Sequence, residues 1–258
     1  MVKGLYTAYT GMLNEQHRMD VMTNNLANAT TVGFKKEGST SQAFSDVLAV
    51  KLKDSSVGLN VRQPIGINNP GVKIGENYVD YSQGSFRITD NTFDLALAGD
   101  GFFAIEFTNK AGETSTKYTR SGDFTLNIDG FLVTNEGDYV LDVNNQRIQM
   151  DPLHDVSIQT DGTISQGDRV IARIQVADFE DYDYLHRYGE TYFEPIEGAQ
   201  LMEGSARIYS GYLEMSNIQV VSEMVNMIAI TRQYESNQKV IQTIDDTLQR
   251  AVNDLGKV

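Results

Sequence analysis

The side chains that could carry out chemistry are few in this sequence. It contains three histidines, His17, His154 and His186, and no cysteine. None of the histidines shares a motif with a carboxylate or a second histidine at metal-ligand spacing, so the pattern favours neither a zinc site nor a catalytic triad. The lack of cysteine excludes disulfides, thiolate metal sites and a cysteine nucleophile. We therefore predict a protein with no catalytic residue, no metal and no cofactor.

Two other segments resemble ligand sites only in part. Gly99-Asp100-Gly101 lacks the third glycine and the following helix of a phosphate-binding loop, which favours a simple turn. The acidic segment 178–183 lacks the spacing of a calcium-binding loop, which favours a solvated acidic surface. Carboxylate-only glycosidase chemistry stays open as an alternative, because paired Asp and Glu side chains can converge from distant positions.

The charge of the chain is unevenly distributed. The 258 residues include 21 Lys and Arg against 35 Asp and Glu, a net charge of -14. Residues 1–35 sum to +1 and residues 217–258 to -1, which leaves -14 for residues 36–216. Such an acidic body repels phosphate backbones and anionic lipid, so we expect no nucleic-acid partner. No apolar run approaches the roughly 20 residues of a membrane span, so we expect no direct membrane insertion.

The N-terminal segment has the periodicity of an amphipathic helix. From Leu5 to Ala29, apolar residues recur at steps of three and four without a proline, which predicts one helix. Gly33 followed by Phe34 favours a glycine C-cap with an apolar residue after it. In Asn24-Asn25-Leu26-Ala27-Asn28, three amides form a polar strip beside Leu26. This strip is either solvated or hydrogen-bonded to neighbouring chains in a packed tube.

The C-terminal segment predicts a longer helix of the same kind. Its apolar row runs from Val220 to Leu255 with no glycine or proline before Gly256, and a helix of that length spans roughly 55 Å. Thr231, Gln238 and Asp245 interrupt the row every seven residues, a pattern typical of coiled-coil positions that fix register and partner. A small domain does not cover such a helix along its whole length. We expect its apolar row to pack against other copies, with an intramolecular helical hairpin as the alternative.

The middle of the chain predicts antiparallel strands. Phe124–Ile128 and Phe131–Val133 flank Asp129-Gly130, and Val156–Thr160 and Thr163–Ser165 flank Asp161-Gly162; both patterns are typical of β-hairpins. Further strands are expected at 93–98, 102–107, 139–143 and 170–178. The glycine- and proline-rich residues 36–75 read as an irregular extension or linker.

These patterns together predict an α+β protein. A discontinuous helical assembly domain would join residues 1–35 with 217–258, through paired long amphipathic helices. An irregular extension over 36–75 would lead into a central antiparallel all-β domain over 76–216.

Several motifs resemble those of the flagellar rod and hook proteins. The first is Asn24–Lys35, followed by Gly101-Phe102-Phe103 and 118–124 in the middle of the chain. Gly211–Asn217 and 223–228 follow, and the Arg-x-Tyr-Glu-x-Asn pattern begins at Arg232. The resemblance therefore covers both ends and part of the middle.

The resemblance implies an axial subunit of the bacterial flagellar basal body, and not an enzyme. The terminal helices would pair as the inner layer of a tubular homo-oligomer, a drive shaft that links the motor to the hook. Its partners would be further copies, other rod subunits, the hook protein and the flagellar type III export apparatus. Export by that route agrees with the absence of an apolar signal-peptide region behind Met1. The chain length is similar to that of rod proteins, and we favour the distal rod.

A proximal rod or hook-type subunit of the same family is the nearest alternative. From other classes, a secreted β-domain adhesin or a carbohydrate-active protein stays open. For the rod subunit, the predicted assembly interface comprises Leu5, Met12, Met19, Met22, Asn24, Asn25, Leu26, Asn28, Gly33, Phe34, Asn217, Val220, Met224, Met227, Tyr234, Ile241 and Leu248.

Overall fold

A long helix lies at each end of the chain, with antiparallel strands between them. The computed structural model describes residues 2–51, 63–110, 112–167 and 169–255. Helix α1 spans Val2–Ala27 and helix α2 spans Val220–Leu255. The second helix has the predicted bounds, and Glu223 in its first turn suits the positive end of the helix dipole. The first ends two residues before the predicted Ala29, since a turn follows in which the Thr31 amide donates to the Asn28 carbonyl oxygen. The fold class is therefore α+β, as predicted.

Twenty strands are present among the described residues. The first ten are β1 Lys36–Ala43, β2 Val47–Lys51, β3 Gln63–Asn68, β4 Val72–Asp80, β5 Phe86–Ile88, β6 Leu95–Ala98, β7 Phe102–Thr108, β8 Thr114–Thr119, β9 Phe124–Leu126 and β10 Leu132–Thr134. The others are β11 Tyr139–Val140, β12 Val156–Ile158, β13 Thr163–Gln166, β14 Arg169–Arg173, β15 Val176–Phe179, β16 Leu185–Tyr188, β17 Tyr192–Pro195, β18 Leu201–Glu203, β19 Arg207–Ser210 and β20 Tyr212–Glu214.

The largest sheet has nine strands, and β7 lies at its centre. Strand β8 pairs along one edge of β7, while β11 and β15 share the other edge. Alternate residues of β7 point to opposite faces. Phe102 and Ala104 enter one buried apolar cluster and Phe103 enters the other. This two-sided burial explains the continuous apolar run of β7.

Both predicted hairpins are confirmed. Strands β9 and β10 pair with Leu126 opposite Leu132, around a turn in which Gly130 has a φ of 78°. Strands β12 and β13 pair with Ile158 opposite Ile164, and β14 completes a three-stranded sheet.

Two strand predictions are wrong in detail. The single strand expected over 170–178 is two strands, because the chain leaves the three-stranded sheet after β14 and joins the nine-stranded sheet as β15. The segment expected to be irregular over 36–75 forms β1 to β4 where it is described. Strand β1 pairs with β4, and β2 pairs with β3. Residues 52–62 of that segment lie outside the described residues.

The chain divides into two compact units. Unit 1 comprises residues 1–26, 37–78 and 220–258, and unit 2 comprises residues 27–36 and 79–219. The chain passes from one unit to the other four times, after Leu26, Lys36, Tyr78 and Gln219. Unit 1 holds 11 acidic and 10 basic residues, whereas unit 2 holds 24 acidic and 11 basic ones. Unit 2 therefore carries -13 of the total charge of -14.

Candidate assembly surfaces

The histidines lie apart from one another and from any cluster of ligands. His17 Nε2 lies 3.0 Å from Asn77 Oδ1, and His154 Nδ1 lies 3.0 Å from Asp151 Oδ2. His186 is exposed on β16. In the part of the chain that the structure describes, no three His, Asp or Glu side chains lie close enough to hold a metal. Among the described residues, no helix is both long and apolar enough to cross a membrane.

The predicted row on α1 lies on the sheltered side of that helix. Its members are half-buried: Leu5, Met12, Met19, Met22 and Leu26. A second apolar row, which the periodicity analysis missed, consists of the exposed Tyr6, Tyr9 and Leu13. We call these three residues the α1 stripe. They recur at steps of three and four, so they lie on one face of the helix.

The predicted row on α2 is only partly sheltered. Met227, Tyr234 and Ile241 are half-buried, whereas Val220, Met224 and Leu248 are exposed. The sheltered side of α2 also contains Ile230 and Asn237, whereas Gln238 of the predicted row is exposed. The exposed side near the start of the helix carries Val221, Met224, Val225 and Ile228, which we call the α2 stripe. Sequence periodicity alone did not separate these two faces, because both are apolar.

Two glycines mark where α1 comes close to α2. A Cβ atom added at Gly4 would lie 3.6 Å from Ile244 Cδ1, and one added at Gly11 would lie 2.9 Å from Asn237 Nδ2. Gly4 and Gly11 are seven residues apart on α1, and Ile244 and Asn237 are seven residues apart on α2 in the reverse order. A side chain at Gly11 would require the Asn237 amide to shift, so glycine leaves room for that amide beside α1.

The amide of Asn25 is used inside the chain. Asn25 is fully buried, its Nδ2 donates to the Glu37 carbonyl oxygen at 2.7 Å, and its Oδ1 accepts from the Glu37 amide at 2.9 Å. The interpretation of this amide as a bond to a neighbouring chain is therefore wrong. It joins the end of α1 to the start of β1, a contact that neighbouring positions in the sequence do not reveal.

The other predicted asparagines differ from one another in exposure. Asn24 is exposed, whereas Asn28 is buried and its Oδ1 accepts from Thr31 Oγ1 at 3.1 Å. Asn217 Oδ1 accepts from the Lys36 amide at 2.9 Å, and its Nδ2 donates to the Asp80 carbonyl oxygen at 2.8 Å. The amides of Asn28 and Asn217 thus hold turns and strand ends within unit 2.

Gly33 and Phe34 are buried in unit 2. Gly33 has a φ of 69°, and a Cβ there would lie 2.3 Å from the Ser121 nitrogen. Its amide donates to the Glu214 carbonyl oxygen at 2.8 Å. The helix has already ended at Ala27, so the prediction of a glycine C-cap is wrong and close backbone approach is the reason for glycine. The Phe34 ring, 1% exposed, lies 4.0 Å beneath the Arg187 guanidinium.

The signature segments converge on a buried ion cluster. Lys35 Nζ lies 2.6 Å from Glu214 Oε1, and Arg120 Nη1 lies 3.4 Å from Glu214 Oε2. All three side chains are nearly or fully buried. The Gly84 amide also donates to Glu214 Oε1 at 3.0 Å, and Lys35 Nζ donates to the Ser82 carbonyl oxygen at 2.8 Å. We call Lys35, Arg120 and Glu214 the ion cluster.

Burial is the main electrostatic cost of the ion cluster. It lowers the pKa of Lys35 below its ordinary value, and the adjacent Glu214 carboxylate opposes that shift. At any pH where Lys35 is protonated in the unfolded chain, its lowered pKa in the folded chain reduces the free energy of unfolding. The carboxylate of Glu214 is therefore essential to keep two buried cations in place.

Three families of flagellar proteins match consecutive parts of the chain. The family "Flagella basal body rod protein" matches residues 5–35, and "Flagellar hook protein FlgE/F/G D1 domain" matches residues 96–166. The family "Flagellar basal body rod FlgEFG protein C-terminal" matches residues 209–255. These ranges contain all three members of the ion cluster.

Similarity to curated proteins extends over the whole chain. The chain is 34% identical to the flagellar basal-body rod protein FlgG of Bacillus subtilis, over 98% of this chain and 99% of that protein. It is 33% identical to the flagellar basal-body rod protein FlgF of Caulobacter vibrioides, over 100% of both chains. The chain belongs to the flagellar basal-body rod protein family.

Family membership confirms the predicted role and location. A member of the rod family is a structural subunit of the flagellar basal-body rod, located in the basal body. It assembles with other rod and hook components of the flagellum. This assignment takes the place of the secreted adhesin and the carbohydrate-active protein as explanations of the β-rich middle.

Proposed function

We propose that this rod subunit assembles with copies of itself, through its terminal helices, into a tubular axial drive shaft that links the motor to the hook. The observation that carries the proposal is the pair of exposed apolar stripes on α1 and α2. Both stripes lie in unit 1, whose charge is close to zero. Copies can therefore approach through unit 1 without strong repulsion.

The close approaches at Gly4 and Gly11 support pairing of the two helices within one subunit. Paired in this way, the helices shelter one face of each and leave the α1 and α2 stripes to neighbouring copies. Burial of apolar surface contributes about 25 cal/mol per Å². Contacts between different surfaces of identical subunits continue into a filament when their rotation does not close a ring.

The proposal keeps the three-part division of the chain. Residues 1–35 with 217–258 supply the helical assembly domain, residues 36–75 an extension, and residues 76–216 the β domain. The assembly interface keeps its predicted apolar members and gains the exposed stripes. Asn25, Asn28, Asn217, Gly33 and Phe34 instead shape the subunit that presents this interface.

We further propose a distal rod position, export through the flagellar type III apparatus, and a structural role without catalysis. The neighbours in the axis are other rod subunits and the hook protein. The β2–β3 ribbon within the extension, with exposed Val47, Leu48 and Ile67, is the segment we expect to fix that position. Exchanging it for the matching segment of a proximal rod subunit should end rod growth short of the hook.

Electron microscopy of basal bodies tests the central proposal. Cells that lack this chain should have a truncated rod and no hook, and the wild-type chain should restore both. Tyr9→Asp with Leu13→Asp should fail to restore them, because charges would replace the α1 stripe. Tyr9→Phe with Leu13→Met changes the same two positions but keeps them apolar, and it serves as the matched control. Complete rods from the double variant would contradict the proposal.

A further inference from the structure

The β-rich unit 2 carries two projecting aliphatic side chains on adjacent loops. Ile128 is 100% exposed and Leu153 is 91% exposed. The Met150 amide donates to the Gly130 carbonyl oxygen at 2.7 Å, and Gln149 Nε2 donates to the Asp129 carbonyl oxygen at 3.1 Å. These bonds hold the two loops side by side. We call Ile128 and Leu153, with their neighbours Asp129 and Asp151, the knob.

Unit 2 also contains an open groove of about 520 Å³, a size typical of binding sites. Leu201, Met202 and Ala206 supply apolar walls, and Arg173 and Arg207 supply positive charge. Two acids also line it: the Arg173 Nη1 lies 4.0 Å from Glu203 Oε1, and the Asp161 carboxylate accepts from Thr163. Both Leu201 and Met202 are exposed, so the groove offers apolar surface to a partner.

The knob and the groove lie at opposite ends of the three-stranded sheet. The knob end is marked by Gln166, whose Nε2 donates to the Asp151 carbonyl oxygen at 2.8 Å, and which pairs with Val156 and Arg169. At the other end, Thr163 pairs with Arg173, which lines the groove. A subunit therefore cannot place its own knob in its own groove.

The two surfaces match in polarity, and the groove is less acidic than the rest of unit 2. The knob presents two aliphatic side chains beside two carboxylates, and Asp151 stays ionised because the Leu153 amide lowers its pKa. The groove presents aliphatic walls beside two arginines and two acids, so its lining has no net charge and repels the knob less than the acidic remainder of unit 2 does. Unit 2 holds only 11 basic residues against 24 acidic ones, so a pair of arginines here is an exception to its acidic surface.

We propose that the knob of one subunit binds in the groove of a second copy of this chain. Because the two surfaces differ and lie at opposite ends of one sheet, the contact is head-to-tail and continues from copy to copy. It adds a contact between β units to the helix contacts of the rod. The inference rests on the proposed self-assembly, yet it is separable from the role of the helices.

Cysteine pairs test the contact directly, because the natural chain has no cysteine. Basal bodies with Leu153→Cys and Met202→Cys in the same chain should form a ladder of cross-linked dimers, trimers and longer species on mild oxidation. Leu153→Cys with Ile196→Cys is the matched control, since Ile196 is 49% exposed and Met202 46%, and Ile196 does not line the groove. The control pair should yield at least tenfold less of the ladder.

Normal rods with no ladder would overturn the knob-and-groove contact and leave assembly through the helices intact. Complete rods from the α1-stripe variant, together with an intact ladder, would instead overturn assembly through the helices and leave the knob-and-groove contact in place.

Charge exchange covers the case in which the cysteine chains do not enter rods. Asp129→Arg with Asp151→Arg should reduce the number of complete rods at least tenfold, and so should Arg173→Glu with Arg207→Glu. Combining all four changes should restore most of that loss, because the pairing is reversed. Lack of any restoration, with each variant folded by circular dichroism, would overturn the proposal.

Discussion

Unit 1 and unit 2 shelter their apolar side chains in different ways. Unit 2 has two buried apolar clusters on the two faces of its main sheet. Among the described residues, the only buried apolar side chains of unit 1 are Ala8, Val21 and Ile230. Unit 1 instead exposes two apolar stripes and carries almost no net charge. A unit with its own core is complete in one chain, whereas in the proposed assembly unit 1 covers its apolar stripes with neighbouring copies.

The largest effect that this difference predicts is on assembly. Val221→Asp with Val225→Asp should reduce the number of rods more than a hundredfold, because each buried valine contributes roughly 1.5–3 kcal/mol to the contact. Both residues are exposed in the single chain, so the urea midpoint of the monomer should not change. Rods are counted by electron microscopy.

Asn226→Asp provides the control, since it adds a charge at an exposed position directly after Val225 and on a different side of the helix. Normal motility of the double variant would mean that the α2 stripe faces solvent in the rod. It would then contradict the prediction that rod assembly depends on the exposed apolar side chains of unit 1.

Amide hydrogen exchange of the monomer should separate the two units. Amides of β7 should exchange about a thousandfold more slowly than those of α1 and α2, because local opening is easier where few apolar side chains are buried. The measurement is made at a concentration where the protein sediments as a monomer. Equal protection of helices and strands would remove the distinction between a complete unit and an incomplete one.

Unit 2 should also depend on its ion cluster. Glu214→Gln should lower the free energy of unfolding by about 3 kcal/mol or more, because Lys35 and Arg120 would lose their common counter-charge while buried. Urea denaturation measures the change. In contrast, Glu106→Gln breaks a more exposed pair with Arg147 and should cost under about 1 kcal/mol. Similar losses from both variants would show that burial of the cluster has no special role.

The smallest effect concerns two tyrosines of unit 2, one buried and one half-buried. Burial raises the pKa of Tyr182 and Tyr192 well above the usual 10.0, so the unfolded chain releases these protons first. The free energy of unfolding is therefore not reduced by these tyrosines below pH 10. It decreases as the pH rises above 10, by at most about 1.4 kcal/mol per pH unit for each tyrosine. Urea titrations at pH 9 to 11 should reveal the slope. Tyr192→Phe should make it shallower, and an unchanged slope would contradict the assignment.

Local patterns in the sequence predicted what depends on neighbouring residues. The bounds of α2 follow from an apolar row without glycine or proline, and both β-hairpins follow from their Asp-Gly turns. The strands of the extension were missed because β1 pairs with β4 across about thirty intervening residues. The asparagines were misread for the same reason, since the partner of Asn25 is the backbone of Glu37.

The motifs that carried the family resemblance also supply the three residues of the ion cluster, and no local sequence pattern predicts that cluster. Lys35 and Glu214 are 179 residues apart in the chain, and Arg120 lies between them. Only the folded structure brings their opposite charges together. The role of Gly33 was equally hidden, because its constraint comes from the backbone of Ser121 rather than from the end of α1.

The distance along the chain between Lys35 and Glu214 also governs when a subunit can become rigid. Among the described strands, β5 pairs with β20 alone and β6 with β19 alone, so unit 2 is not complete until residues near both of its ends are present together. Pairings so remote form slowly, because much of the polypeptide must be ordered before they contribute. In a chain of this design, unit 2 becomes rigid only once its C-terminal strands β19 and β20 are available for pairing.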